Sequence, residues 1–399
     1  MDLSQIQKLS EEFHSDIVAI RRHLHRHPEL SYQEFETTEF IIEKLKDLNI
    51  KVDRPLETGC VGVIEGGKNS DRVIALRADI DALAIQEEGK HKEEFLSQNT
   101  GIAHCCGHDA HTANLLGVAK VLAKLQNEIE GRVLLIFQPG EEKLPGGGRL
   151  LCETGYLQEK GVDVIYGLHS SPEYKPGTIA LRKGPLMARP DEFKIDIMGD
   201  GGHAASPHLT VDPIVLAARI VNDIQTIVSR NIDPTEPAVV TVGKISGGTT
   251  HNIIPGKVEM IGTIRTFSKE TADTIKNRIE AIARGVTQSA DASYNFQFDY
   301  GYPAVINTEW STEVVMDTAK ELFGEDSVEV RKNPIMAGED FAFYQQHFPG
   351  TFFFLGCGEE ETGSTFSWHH PQYNIDEECF KTGVALMASL VFKPVSGKA

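Results

Sequence analysis

Three runs of almost unbroken apolar residues do most to constrain the fold of this chain: 73–76 (Val-Ile-Ala-Leu), 133–137 and 162–168. Strands apolar at successive positions are buried on both faces, as in a parallel sheet covered by helices. Helical spacing at 4–25, 33–48 and 110–125 surrounds them, so this part of the chain reads as α/β. Each run also leads to an acid or an imidazole. Asp79 and Asp81 follow the first, Glu141 and Glu142 the second, and His169 the third. Ligand crevices of open α/β sheets lie beyond the carboxyl ends of the strands. Three strands are therefore expected to bring titratable groups to one rim.

The pattern changes near Gly184-Pro185. Residues 193–198 alternate apolar and polar, as an antiparallel strand with one wet face does. A helix over 213–228, strands over 238–245 and 258–267, a helix over 269–290 and a strand over 294–300 follow. From Pro303 the helix–strand alternation resumes, with a helix over 313–323, a strand over 350–356 and a closing helix over 377–390. The expected architecture is an α/β main domain with a mixed, largely parallel sheet flanked by helices, split in sequence into 1–186 and 302–399. An α+β domain over 187–301 is inserted between the two parts.

A chain of 399 residues suits two domains. Its net charge of −19, with no lysine- or arginine-rich stripe, excludes nucleic acid as a partner and argues against an anionic membrane surface. No apolar run approaches the ~20 residues a bilayer span needs. Asp2, Glu11, Glu12 and Asp16 make the first twenty residues an amphipathic helix and not a signal peptide. Six cysteines in so long a chain are no disulfide framework. Reduced thiols and a cytoplasmic location are expected.

Chemistry concentrates in His104-Cys105-Cys106-Gly107-His108-Asp109-Ala110-His111. Imidazoles, thiols and a carboxylate within about two helical turns are the donors that hold zinc and similar divalent ions. A buried cysteine beside surface histidines is the plainer alternative, and the density of ligand types speaks against it. Glu141-Glu142 alone would be a solvated pair, but it follows a buried strand and Gln138-Pro139. His23, His25 and His27 sit near a helix end, where histidine is favourable for structural reasons. Gly146-Gly147-Gly148 lacks the Lys-Ser/Thr of a phosphate loop. Gly201-Gly202-His203 reads equally as a hairpin turn.

In these residues the chain resembles the M20 metallopeptidases, in their amidohydrolase branch of hippurate hydrolases, N-acyl-amino-acid deacylases and auxin-conjugate hydrolases. The matching segments are His25-Arg26-His27-Pro28-Glu29-Leu30, Leu76-Arg77-Ala78-Asp79-Ile80-Asp81-Ala82-Leu83, the 104–111 segment, Gln138-Pro139-Gly140-Glu141-Glu142, Gly167-Leu168-His169, Gly201-Gly202-His203-Ala204-Ala205, His251-Asn252-Ile253-Ile254-Pro255, Gly338-Glu339-Asp340-Phe341 and His369-His370-Pro371. They run through nearly the whole chain in order.

The resemblance implies two divalent metal ions per subunit (zinc, manganese, cobalt or nickel), held by Cys106, His108, Glu142, His169 and His369, with Cys106 bridging. His369 is preferred to His370 because the family's pattern is His, any residue, Pro. It further implies that Glu141 is the general base for a water activated at the metal pair, and that Asp81 orients a ligand. His203 would stabilise the oxyanion, and Asn252 and Arg265 would hold the substrate's carboxylate. The substrate implied is an N-acyl amino acid, cleaved at its amide to a carboxylic acid and a free amino acid. A carboxypeptidase or dipeptidase using the same mechanism is the alternative. A non-catalytic binding protein, or a metal-storage or redox protein, would leave Glu141 and the spread of ligands unexplained. The inserted domain is expected to act as a lid and to carry a homodimer interface. The chain departs from the family pattern at Cys105, where alanine is usual, at Ala84, where proline is usual, and at Lys143-Leu144-Pro145, which replaces a glycine-led run.

Overall fold

The computed structural model describes residues 2–396, and the chain divides into two compact units. One comprises Met1–Leu186, Ile306–Pro334 and Asp340–Ala399, the other Met187–Val305 and Ile335–Glu339. Residues 302–305 and 335–339 thus go with the inserted unit, not with the main one as expected. Ile335 is held there by a bridge to Met187 and by the Ala188 N–H on its carbonyl at 3.0 Å. Backbone pairing of this kind leaves no mark in a side-chain pattern.

The first unit is built on an eight-stranded mixed sheet. Across it lie Lys51–Asp53, Cys60–Glu65, Glu130–Gln138, Lys68–Asp79, Val164–Ser171, Gly350–Gly356, Ile179–Leu181 and Val328–Val330. The four central strands, from Glu130–Gln138 to Gly350–Gly356, run parallel. They contain the apolar runs, and Leu76, Leu134 and Ile165 are fully buried. Three strands escape the sequence pattern: Lys51–Asp53, Ile179–Leu181 and Val328–Val330. Each is too short for a period of two to register. The helix expected over 4–25 is two, Leu3–Glu12 and His14–Arg26. The break is slight: Phe13 N–H still reaches the Leu9 carbonyl and Ile17 N–H the Phe13 carbonyl, both at 3.0 Å.

Helix His108–Lys124 packs on the strand Lys68–Asp79 and on helices His14–Arg26 and Cys379–Leu390, and is buried on almost every side. It begins after Gly107, whose φ of 92° is left-handed and favours glycine. Phe137, Leu168 and Phe353 join it in one large core.

The second unit has a four-stranded antiparallel sheet in the order Val239–Gly247, Lys257–Thr266, Arg189–Met198, Ser293–Asp299. Helices Pro213–Asn231 and Lys269–Gln288 cover one face, burying Phe193, Ile195 and Met260 among Ile220, Ile224, Ile275 and Ile279. The alternation along Arg189–Met198 and Lys257–Thr266 is therefore that of a one-sided sheet. Among the described residues no helix is long and apolar enough to cross a membrane.

Candidate metal centre

Five side chains from four separate segments of the sequence converge at the carboxyl edge of the parallel strands. Cys106, His108 and His169 have ligand atoms within 4.8 Å of one another, and so do Cys106, Glu142 and His369. The two groups share only Cys106. Cys106 Sγ lies 3.4 Å from His169 Nε2, and Glu142 Oε1 lies 3.3 Å from His369 Nε2. Ligands around one tetrahedral ion, each at about 2.0–2.3 Å from it, are spaced comparably.

Hydrogen bonds behind these side chains set their lone pairs. His108 Nδ1 faces the Asp81 carbonyl at 2.9 Å and Asp81 Oδ1 at 3.2 Å, so Nδ1 carries a proton and Nε2 is the nitrogen turned toward the cluster. His169 Nδ1 donates to the Ser170 carbonyl at 2.9 Å, which frees its Nε2. Asp81 reaches further. Its Oδ1 accepts the Glu141 N–H at 3.1 Å, and its Oδ2 accepts the Glu142 N–H at 3.0 Å and the Ser31 hydroxyl at 2.6 Å. One buried carboxylate thus orients an imidazole and the turn that carries both glutamates.

His369 stands on a left-handed backbone, with φ of 64°, and its N–H is bonded to the Cys105 carbonyl at 2.8 Å. Such a φ on a non-glycine residue costs of order 1–3 kcal/mol and is tolerated where surrounding structure enforces it. His370 has a different environment, with Nδ1 taken by the Gln372 N–H at 3.1 Å and its ring stacked on Phe366.

The electrostatics are those of a pocket that wants cations. His108 Nε2 and Glu142 Oε1 are buried without a hydrogen-bond partner. Burial, then Glu142 and Glu141, holds the Cys106 thiol well above the usual range. Burial opposes charge on His108, yet Asp79, Asp81 and Glu142 raise it to about 10. A thiol kept protonated by burial and carboxylates, and a His108 ring kept protonated by the same acids, make a site whose proton logic a divalent ion inverts, the ion taking the place of those protons. The donors present therefore fit a metal pair.

Glu141 is buried beside this cluster, with a carboxylate oxygen among the His108 and Glu142 ligand atoms and Oε1 3.4 Å from the Asp340 N–H. His203, Asn252 and Arg265 belong to the second unit. His203 and Asn252 are both exposed and adjacent, through the His203–Ile253 pairing and the Ala204 N–H on the Asn252 carbonyl at 3.1 Å. His203 Nδ1 accepts the Ala205 N–H at 3.0 Å, which places the ring proton on Nε2. Arg265 is half-buried, with Nε on the Met336 carbonyl at 3.1 Å and Nη1 on the Ile264 carbonyl and the Thr263 hydroxyl.

Several residues here were missed or misread in the sequence. Asp79 Oδ1 pairs with His111 Nδ1 at 2.7 Å and its Oδ2 with Arg77 at 2.8 Å, and Asp79, His111 and His108 form a further group of three donors close together. Glu34 accepts the Gly140 N–H at 2.8 Å, and no motif announces it. His25 is structural, though not through a helix dipole: it is locked between Asp109 at 2.7 Å and Glu87 at 2.6 Å. Cys105 is buried and burial pushes its thiol up to about 12, as suits a packing residue.

A metal-ligand cluster at the carboxyl edge of a parallel sheet defines a metallohydrolase-type centre, and comparison with known proteins agrees. The profile of Peptidase family M20/M25/M40 matches residues 75–393. The chain is 44% identical to an N-acetyl-L-cysteine deacetylase of Bacillus subtilis (strain 168), over 90% of this chain and 84% of that one. It is 45% identical to an N-acyl-L-amino acid amidohydrolase of Geobacillus stearothermophilus, over 77% and 82%. The crystal structure of the Bacillus subtilis YXEP protein, a dinuclear metal binding peptidase from the M20 family, superposes with a TM-score of 0.81 at 36% identity, covering 96% of this chain and 98% of that one. The chain belongs to peptidase family M20/M25/M40 and is a metal-dependent amidohydrolase within it.

Proposed function

We propose that this protein hydrolyses N-acyl amino acids to a carboxylic acid and a free amino acid, with Cys106, His108, Glu142, His169 and His369 holding two divalent ions. The observation that carries this reading is the pair of three-ligand groups sharing Cys106, with the Glu141 carboxylate beside them. When bound, such ions polarise an acyl oxygen and lower the pKa of water. Glu141 takes the proton of the attacking water and passes it to the leaving nitrogen. Asp81 keeps His108 and the Glu141-Glu142 turn in register. His203, with its proton on Nε2, is a donor suited to the developing oxyanion. The substrate's carboxylate is assigned to Asn252 and to Arg265, whose Nη2 has no partner among the described residues. Thiolate, imidazole and carboxylate together accept zinc, manganese, cobalt or nickel. The 187–305 unit is assigned as lid and homodimer interface. Six unpaired cysteines suit a reducing, cytoplasmic location.

The test is hydrolysis of N-acetyl, N-benzoyl and dipeptide substrates by chelated enzyme reloaded with each metal in turn. Metal-dependent release of amino acid, faster from acyl substrates than from dipeptides, is expected. Dipeptides cleaved faster would move the assignment to a carboxypeptidase or dipeptidase. No turnover at full metal occupancy would overturn it.

A further inference from the structure

Ser170 makes more connections around the metal centre than any role above requires. It is 1% exposed, and each of its polar atoms is spent. Its carbonyl accepts His169 Nδ1 at 2.9 Å and Trp368 Nε1 at 2.8 Å. Its N–H donates to His111 Nε2 at 2.8 Å. Its Oγ meets His111 Nε2 and the Tyr373 hydroxyl, both at 2.9 Å. Gly107 lies so near that a Cβ there would stand 2.4 Å from Ser170 Oγ and 2.8 Å from the Tyr373 hydroxyl. Because His111 Nε2 accepts, its proton sits on Nδ1, where Asp79 Oδ1 receives it at 2.7 Å.

Serine, histidine and aspartate in hydrogen-bonded sequence have the connectivity of a nucleophilic triad. Burial and the Tyr373 cap deny this serine any substrate, so its function lies in what it joins. Ser170 follows His169, Trp368 precedes His369, and Gly107 separates Cys106 from His108. All three segments meet on one residue. We propose that Ser170 is the positioning residue that sets the spacing of the two ions: its hydroxyl, fixed by His111 and Tyr373 and packed against Gly107, holds in place the carbonyl that receives His169 and Trp368, so that the segments carrying Cys106, His169 and His369 stay together. The His111–Asp79 pair anchors it to the end of the strand Lys68–Asp79. The proposal rests on the ligand assignment of the previous subsection. Outer partners of metal ligands commonly change affinity or activity by about 10–100-fold when removed.

The experiment compares wild type, Ser170→Ala and Tyr373→Phe after dialysis against cobalt. Metal content per chain, the cobalt–thiolate absorption band, kcat, KM and the thermal midpoint are measured. Ser170→Ala is expected to weaken one ion about 10–100-fold, to shift the cobalt–thiolate band, and to lower kcat with KM nearly unchanged. Tyr373→Phe removes one hydroxyl and opens no sizeable cavity, so its smaller changes in the same direction decide the matter if Ser170→Ala does not fold. Two ions per chain at wild-type affinity with an unshifted band in the folded variants would overturn the proposal, even if the thermal midpoint fell. Wild-type chain that holds fewer than two ions would instead sink the ligand assignment, and the proposal with it.

Discussion

Glu34 shows how one side chain can couple this site to pH. Its carboxylate is fully buried, accepting the Gly140 N–H at 2.8 Å and the Thr58 hydroxyl at 2.9 Å. Burial, then the charge of Asp81, raises it from 4.5 to about 7. A raised carboxyl binds its proton more tightly in the folded chain than in the unfolded one. Its stabilising contribution is complete below pH 4.5 and is lost as pH rises through about 7. In metal-free enzyme, Glu34→Gln should therefore melt higher than wild type at pH 8 and gain little at pH 4.5. An equal gain at both would mean that Glu34 does not titrate in this range. Glu141 and Cys106 make a different pair at the same scale. Glu141→Gln should keep two ions and lose about 10²–10⁴ in kcat, the usual span for a general base. Cys106→Ser should lose metal first, because both ligand groups share that sulfur. Turnover retained in the first variant, or full metal occupancy at the wild-type rate in the second, would remove the corresponding role.

At the scale of elements, legibility followed burial and period. The strands Lys68–Asp79, Glu130–Gln138 and Val164–Ser171 were readable because a parallel sheet must be apolar on both faces. The acids and imidazole after them were readable as a rim because the ligand crevice of such a sheet lies beyond the carboxyl ends of its strands. What joins the rim was not readable. Arg21, Asp109, His25, Glu87 and Lys92 form a buried ionic network that ties helix His14–Arg26 to the start of helix His108–Lys124. Its members lie up to 88 residues apart, and each alone looks like a surface charge. The Ser170 junction is hidden in the same way, since three of its bonds use backbone atoms that every residue has. Asp109→Ala should cost about 3–5 kcal/mol, as it leaves the fully buried Arg21 guanidinium short of a partner. The exposed pair Arg149–Glu153 should be worth under about 1 kcal/mol. Denaturant midpoints of Asp109→Ala and Glu153→Ala test the contrast, and similar losses would mean the buried network is no tighter than a surface pair.

For the whole molecule, the proposed dimer rests on the second unit. Its strand Val239–Gly247 ends the four-stranded sheet and pairs only with Lys257–Thr266 among the described residues. Val239 and Ile245 on it are 37% and 55% exposed. An unpaired, partly apolar edge invites another strand, and natural chains usually blunt such edges. This favours the proposed homodimer and locates a first place to break it. Val239→Lys together with Ile245→Lys should move the sedimenting species from two chains to one. A wild-type chain that already sediments as a monomer would end the dimer reading. If His203 serves the partner subunit's centre, complementation should reveal it. Glu141→Gln and His203→Ala are each expected to be nearly inactive alone. Mixed and reassociated, half of the dimers carry one chain of each kind. In those dimers, the chain with intact Glu141 receives an intact His203 from its neighbour. About a quarter of wild-type activity should return, one site in two across half of the dimers. If His203 instead serves its own chain, every site in the mixture lacks one group or the other, and activity stays at the sum of the two inactive enzymes.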